Sequence, residues 1–252
     1  MAPSSPLLRT ENVSKHFGDI VAVDGVTWDL HRGQTKALIG PNGAGKTTFF
    51  NLLSGVYRPT AGAVVFDGAD VTDHSVHERA RRGITKTYQI TSIFRESTTF
   101  ENVRIAAQAG VTTFDAYHGW EDLEAVSERA DEVIADLGIE EYRDMPAEQL
   151  SYGNQRILEI GMVLATDPEV VLFDEPTAGL APDAIDTFLA LLREVTARGD
   201  LTAVVIEHNI EVAAELAEVL TVMHDGSILA EGDPADVLEN PSVQDVYLEG
   251  GR

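Results

Sequence analysis

The chain has 252 residues and 44% hydrophobic content, enough for one α/β domain with an inserted subdomain, and it has no cysteine, which excludes disulfides and thiolate chemistry. Forty-two acidic residues face 18 basic ones, a formal net charge of −24 that repels phosphate backbones and excludes a nucleic-acid partner. The longest apolar stretch, around 163–173, is broken by Asp167 and Glu169 and falls short of the ~20 residues that span a bilayer.

In chain order, Leu7–Val13, Ile20–Val23 and Val26–Leu30 alternate as antiparallel strands do. Ala37-Leu38-Ile39 reads as a buried strand, and Thr47–Leu53 as the start of a helix. Ala63–Gly68 adds a strand closed by a turn at Asp67-Gly68, and a strand at Ile84–Tyr88 follows. From about 90 to 165 the pattern turns helical. Leu123, Val126, Ala130, Val133, Ile134 and Leu137 form one apolar stripe that ends near Gly138. Strand–helix alternation then returns with Val170–Phe173, helix Ala184–Thr196, strand Ala203–Ile206, helix Ile210–Ala217, and strands Val219–Met223 and Ile228–Ala230. The order predicts an α/β fold: a parallel core with an antiparallel sheet near its start, interrupted by an all-helical insert. Core and β-subdomain are expected at about 1–89 and 166–252, the insert at about 90–165, all in one domain.

Between the strand at 37–39 and the helix lies Gly40-Pro41-Asn42-Gly43-Ala44-Gly45-Lys46-Thr47-Thr48, which fits G-x-x-x-x-G-K-[ST]. Glycines there let backbone amides turn inward around phosphate oxygens, and the helix N-terminus adds partial positive charge. Lys46 would reach the β- and γ-phosphates, and the Thr47 hydroxyl would bind Mg²⁺. Further on, Val170–Phe173 runs into Asp174-Glu175. A carboxylate at the C-terminal end of a buried parallel strand sits where ligands collect in open α/β sheets. Asp174 would hold Mg²⁺ and Glu175 would orient or deprotonate an attacking water. Leu150-Ser151-Tyr152-Gly153-Asn154 opens a helix with Ser151 as N-cap, either an ordinary cap or a second phosphate-binding helix end.

Together these motifs resemble the nucleotide-binding subunit of an ATP-binding cassette (ABC) transporter, over nearly the whole chain and in the family's order. The loop 40–48 is similar to Walker A, 170–175 to Walker B, and Leu150–Asn154 to the LSGGQ signature. Gln89 matches the Q-loop, His208 the switch histidine, and Phe17 the aromatic that stacks on adenine. The resemblance implies a P-loop (RecA-like) ATPase core with an N-terminal antiparallel β-subdomain and an inserted α-helical subdomain. It implies ATP and Mg²⁺ as ligands, with Gln89 contacting the metal or water and His208 contacting the γ-phosphate. It further implies a homodimer or heterodimer with a second ABC ATPase, two integral-membrane permease subunits, an extracytoplasmic substrate-binding protein met indirectly, and a place at the cytoplasmic face of the membrane. Three positions depart from the family pattern: Tyr152 replaces a glycine, Asn154 a glutamine, and Ala181 an Asp or Asn.

The Leu-Ser-Tyr-Gly variant, the segment Tyr88–Val103 and the ending Val246–Gly250 look like the ATPases of branched-chain amino acid importers. Leu158–Met162 is also similar to urea importers, and soluble ABC ATPases of translation and repair form a third class. A single cassette, an acidic surface and a short insert count against that class. The acids are spread along the chain, and only Lys15, Lys36, Lys46 and Lys86 are lysine. Such a surface suits concentrated salt, where a Debye length of ~3 Å near 1 M makes self-repulsion tolerable. The first residues lack the basic-then-apolar pattern of a secretion signal, so a cytoplasmic location is expected.

Overall fold

Two sheets organise the protein, seen here in a computed structural model that describes residues 5–87, 93–111, 119–197 and 201–249. In the first sheet, β1 (Leu8–Phe17) pairs antiparallel with β2 (Ile20–Leu30) on one side and with β4 (Ala61–Phe66) on the other. β4 turns onto the two-residue β5 (Ala69–Asp70), completing the order β2-β1-β4-β5. Asp67 and Gly68 take φ of 46° and 75°, the left-handed pair that a tight two-residue hairpin needs. β2 runs unbroken through Asp24 and Gly25, with Gly25 at φ 59°. A register shift between Val13 and Lys15 of β1 takes up the irregularity as a bulge.

The second sheet has the order β10-β9-β3-β8-β7-β6. Its strands are β3 (Thr35–Ile39), β6 (Ile84–Lys86), β7 (Val170–Asp174), β8 (Thr202–Ile206), β9 (Val219–His224) and β10 (Ser227–Gly232). All neighbours are parallel except β10, which returns antiparallel on the edge. Every residue of β3, β7 and β8 is buried, as expected of parallel strands covered on both faces. Because β8 lies between β3 and β7, residues 207–208 emerge between the loop that begins at Gly40 and the Asp174-Glu175 pair. This topology puts three distant sequence segments at one end of the sheet.

A polar network around a buried lysine links the two sheets. Lys36 of β3, 3% exposed, pairs with Asp29 of β2 at 3.2 Å and with Glu231 of β10 at 3.0 Å, and lies over the Trp28 ring. Glu231 also accepts from the Thr221 hydroxyl, which accepts in turn from the Trp28 indole. A buried ammonium is tolerated here because two carboxylates satisfy it.

The insert contains α3 (Thr99–Val111), α4 (Gly119–Asp136) and α5 (Tyr152–Ala165). Val126, Ala130, Val133, Ile134 and Leu137 are buried between these helices, as the stripe predicts, whereas Leu123 is exposed. α4 closes at Gly138, whose φ is 65°. The Ile139 amide reaches back to the Ile134 carbonyl and the Gly138 amide to that of Ala135, so the last carbonyls are satisfied.

α1 (Lys46–Leu53) is capped at its far end by Arg79, which sits in the short α2 (Val76–Ala80). The Arg79 side chain is fully buried and donates to the carbonyls of Leu52 and Leu53 at 2.7 Å and of Thr72 at 3.2 Å. Burial pushes its pKa down to about 10, against the opposing charge of Asp70. α6 (Pro182–Ala197), α7 (Ile210–Leu216), α8 (Pro234–Glu239) and α9 (Pro241–Glu249) complete the layers around the second sheet. Among the described residues, no helix is long and apolar enough to cross a membrane.

Candidate functional site

The loop from Gly40 to Thr48 joins β3 to α1, and two of its glycines are forced by their surroundings. A Cβ on Gly40 would stand 2.2 Å from the Met223 carbonyl oxygen, and one on Gly45 would stand 2.4 Å from that of Ala22. Gly45, at φ 97°, is also the N-cap of α1, so no side chain covers the first amides of that helix, and its first turn has no acid. One end of α1 is therefore closed by Arg79 and the other is left open to an anion.

Beside the loop is a cavity of about 240 Å³, lined by Asn42 to Thr48, by Ile20, Val21 and Ala22 of β2, and by His208. Lys46, 5% exposed, donates from Nζ to the carbonyls of Gly40 at 2.5 Å and Pro41 at 3.0 Å. Burial lowers its pKa, while the Glu175 carboxylate acts in the opposite sense. The ammonium is thus held at the loop by neutral carbonyls, ready to exchange them for a stronger anionic partner.

Glu175 and His208 meet directly: His208 Nε2 lies 2.8 Å from Glu175 Oε1. Glu175 adopts φ 49°, uncommon for a non-glycine residue, and its amide donates to the Ile206 carbonyl at 3.0 Å. Asp174 is 8% exposed and its Oδ2 pairs with Lys86 Nζ at 3.1 Å. Lys86 also donates to Asn51 Oδ1 of α1 at 2.9 Å and lies over the Phe50 ring.

Phe17, at the end of β1, is 43% exposed, with Tyr57 edge-on at 5.4 Å and the Lys15 ammonium 5.1 Å from its ring centre. Ile20 and Val21, also exposed, continue this apolar ledge into the cavity. Ser151 caps α5 by accepting from the Asn154 amide at 3.2 Å. A Cβ on Gly153 would meet nothing closer than 3.8 Å, so nothing within the chain requires glycine there. Neither Ser151 nor Gly153 lines the cavity. Tyr152 lies against Gly179 and its hydroxyl donates to the Ala178 carbonyl at 3.3 Å, tying the start of α5 to the loop after Glu175. Gln89 lies outside the described residues. Sequence reasoning missed Lys86, which pairs with Asp174, and Glu207, which holds Thr177; neither belongs to a local pattern.

A parallel strand, a glycine-rich loop and an open helix N-terminus, beside a second strand ending in acid, define a P-loop nucleotide-binding α/β protein. The chain belongs to the ABC transporter family, whose model matches residues 23–178. The high-affinity branched-chain amino acid transport ATP-binding protein BraF of Pseudomonas aeruginosa is 34% identical, the match covering 97% of this chain and 98% of that one. The probable branched-chain amino acid transport ATP-binding protein LivG of Archaeoglobus fulgidus is 35% identical, covering 96% and 95%. The crystal structure of the ADP conformation of an ATP-binding cassette of an ABC transporter superimposes with a TM-score of 0.85 at 32% identity, covering 97% and 99%. A dimeric bacterial ABC transporter cassette superimposes at 0.74 and 26% identity, covering 90% and 98%. The chain is an ABC-type ATPase, with the P-loop core, β-sheet subdomain and helical insert expected of that fold.

Proposed function

We propose that the protein energises an importer of branched-chain or similar amino acids. It would bind and hydrolyse ATP as a head-to-tail dimer beneath two permease subunits, on the cytoplasmic face of the membrane. An extracytoplasmic binding protein would deliver the substrate to the permeases. The observation that carries the hydrolytic part is the 2.8 Å contact between Glu175 and His208 at the edge of the Gly40–Thr48 cavity. The transported class rests on the names of the relatives.

In this reading the amides of Gly43, Ala44, Gly45 and Thr48 cradle the phosphates, and Lys46 leaves the Gly40 and Pro41 carbonyls for them. The adenine stacks on Phe17. Oxygen-only donors suit a hard cation, and Asp174 already carries one cation, Lys86, on a single oxygen. Thr47 and Asp174 would hold Mg²⁺, with Gln89 as a further contact, and the metal supplies neutralisation of phosphate charge when bound. Glu175 orients and deprotonates the attacking water, and His208 holds Glu175 and the γ-phosphate in one arrangement. Ser151 and Gly153 of a second copy would close the site from the opposite side.

The test is Glu175→Gln in molar potassium chloride. ATP binding should stay within a few-fold of wild type, turnover should fall about 100-fold or more, and ATP should trap a dimer on gel filtration. Hydrolysis at the wild-type rate would refute the assigned base. Deleting the gene should abolish uptake of leucine, isoleucine or valine and spare urea uptake. The reverse pattern would favour a urea or amide importer.

A further inference from the structure

Glu207 is a buried carboxylate that neither holds phosphate nor touches a reacting atom in the mechanism above. It follows the last residue of β8 and is 4% exposed. Its Oε1 accepts two hydrogen bonds from Thr177, from the amide at 3.0 Å and from the hydroxyl at 2.8 Å. The chain then continues directly into His208, so the bonds to Thr177 hold the residue next to that histidine. Thr177 is itself buried and lies two residues after Glu175.

We propose that Glu207 is a positioning residue for hydrolysis, clamping the loop that carries Glu175 to the loop that carries His208. Two loops from different strands must be held together for their tips to meet, and a misplacement of about 0.5 Å or more would spoil the pair. Glu175 also keeps a left-handed backbone, which persists only where its surroundings over-determine it. The Ile206 carbonyl fixes that residue at its amide, and Glu207 fixes the chain two residues later. On its far side the same loop is held by the Tyr152 hydroxyl at Ala178. The segment from Glu175 to Ala178 therefore spans from the switch histidine to the first turn of α5.

A carboxylate is a costly choice for this task. Burial raises the pKa of Glu207, the Thr177 donors lower it, and the nearby charge of Glu175 raises it again. A neutral acceptor would satisfy the Thr177 hydroxyl without placing a second acid beside Glu175. The ionised group makes both Thr177 bonds charge-assisted, roughly twice as strong as the bonds of a neutral acceptor, which is what a clamp requires.

The inference rests on reading Glu175 and His208 as the hydrolytic pair. Its test uses the full chain in molar salt, at a temperature well below the melting point of each variant. Glu207→Gln and Thr177→Val should each lower kcat about tenfold or more. KM for ATP and the affinity for a fluorescent ATP analogue should stay within about twofold, and Thr177→Ser should restore kcat. If Glu207→Gln does not fold, Thr177→Val and its serine rescue decide the matter. Wild-type kcat in folded Thr177→Val, or an effect confined to KM, would overturn the clamp. Glu175→Gln separates the two failures. If it is inactive while Thr177→Val turns over normally, only the clamp falls. If it turns over normally, the pair itself was misassigned.

Discussion

Lys86 and Asp174, on neighbouring parallel strands, form an ion pair of 3.1 Å with both side chains nearly excluded from solvent. Lys86 → Met would leave Asp174 and Asn51 without their shared cationic partner. Breaking a buried pair in this way costs about 3 kcal/mol, a drop in Tm of roughly 6–12 °C for a chain of this size. A divalent cation can replace the missing charge. Mg·ATP should therefore raise the melting temperature of the variant more than that of wild type, and ATP with EDTA should not. Differential scanning fluorimetry under the two conditions checks this. Equal shifts in both proteins would mean that Asp174 does not share its carboxylate with the metal.

Two glycines of the phosphate loop should respond differently to alanine. Gly45 has φ 97° and no room, because its Cβ would lie 2.4 Å from the Ala22 carbonyl oxygen. Gly43 has φ 84° but open space around it. Gly43→Ala meets only the backbone penalty of about 1–2 kcal/mol. Gly45→Ala adds a collision with β2 that displaces the start of α1. Titration with a fluorescent ATP analogue should show at least a tenfold larger loss of affinity for Gly45→Ala than for Gly43→Ala. Equal losses would mean that β2 yields.

Glu207 should also leave a mark on the pH dependence of stability. Its folded pKa is raised, chiefly by burial, above the ordinary glutamate value of about 4.3. Below that value the group is protonated in both states. As pH climbs from there through the raised folded pKa, the folded protein holds the proton longer than the unfolded chain, and stability is lost. Glu207→Gln has no proton to release. The melting temperature of wild type minus that of Glu207→Gln should therefore fall as pH rises from about 4 towards neutrality. A difference that is flat or rising over that window contradicts a buried, proton-retaining Glu207.

Salt should stabilise the protein. With 42 acids against 18 bases, self-repulsion is strong at low ionic strength. Melting temperature and ATPase rate should both rise from about 50 mM towards molar potassium chloride, as the Debye length shrinks from more than 10 Å to about 3 Å. Full activity at the low end with loss at about 2 M would show that the acidic surface is not a salt adaptation.

What the sequence made legible was whatever depends on neighbours in the chain. The Gly40–Thr48 loop needs its glycines, lysine and threonines consecutively, so the motif is complete in one line of text. The buried runs of β3, β7 and β8, and the stripe from Val126 to Leu137 on α4, follow from period alone. What was hidden depends on which strands lie side by side. Lys86 reads as an ordinary polar residue near a strand end until β6 is placed beside β7. Glu207 reads as one more surface acid until Thr177 arrives from the next strand connection. α2 also escaped notice, although the Ser75–Glu78 capping box that starts it is visible in the sequence. Its purpose, delivering Arg79 to the end of α1, is not. Tyr152 stood out only as a departure from the signature pattern, and its contact with Ala178 gives the departure a local role.

The four lysines carry one more consequence, for the protein as a chemical reagent. Lys36 and Lys46 are 3% and 5% exposed, and the Lys86 side chain is 8% exposed. Lys15 is half-buried, its ammonium bonded to the Arg58 carbonyl at 2.8 Å and resting against Phe17. Side-chain amines, usually the commonest handles on a protein surface, are thus almost withdrawn from this one. An acylating dye applied to the folded protein has one accessible lysine, and it stands beside the aromatic ledge of the nucleotide cavity. A stray surface label on most proteins would be, on this one, a reporter attached at the mouth of the site.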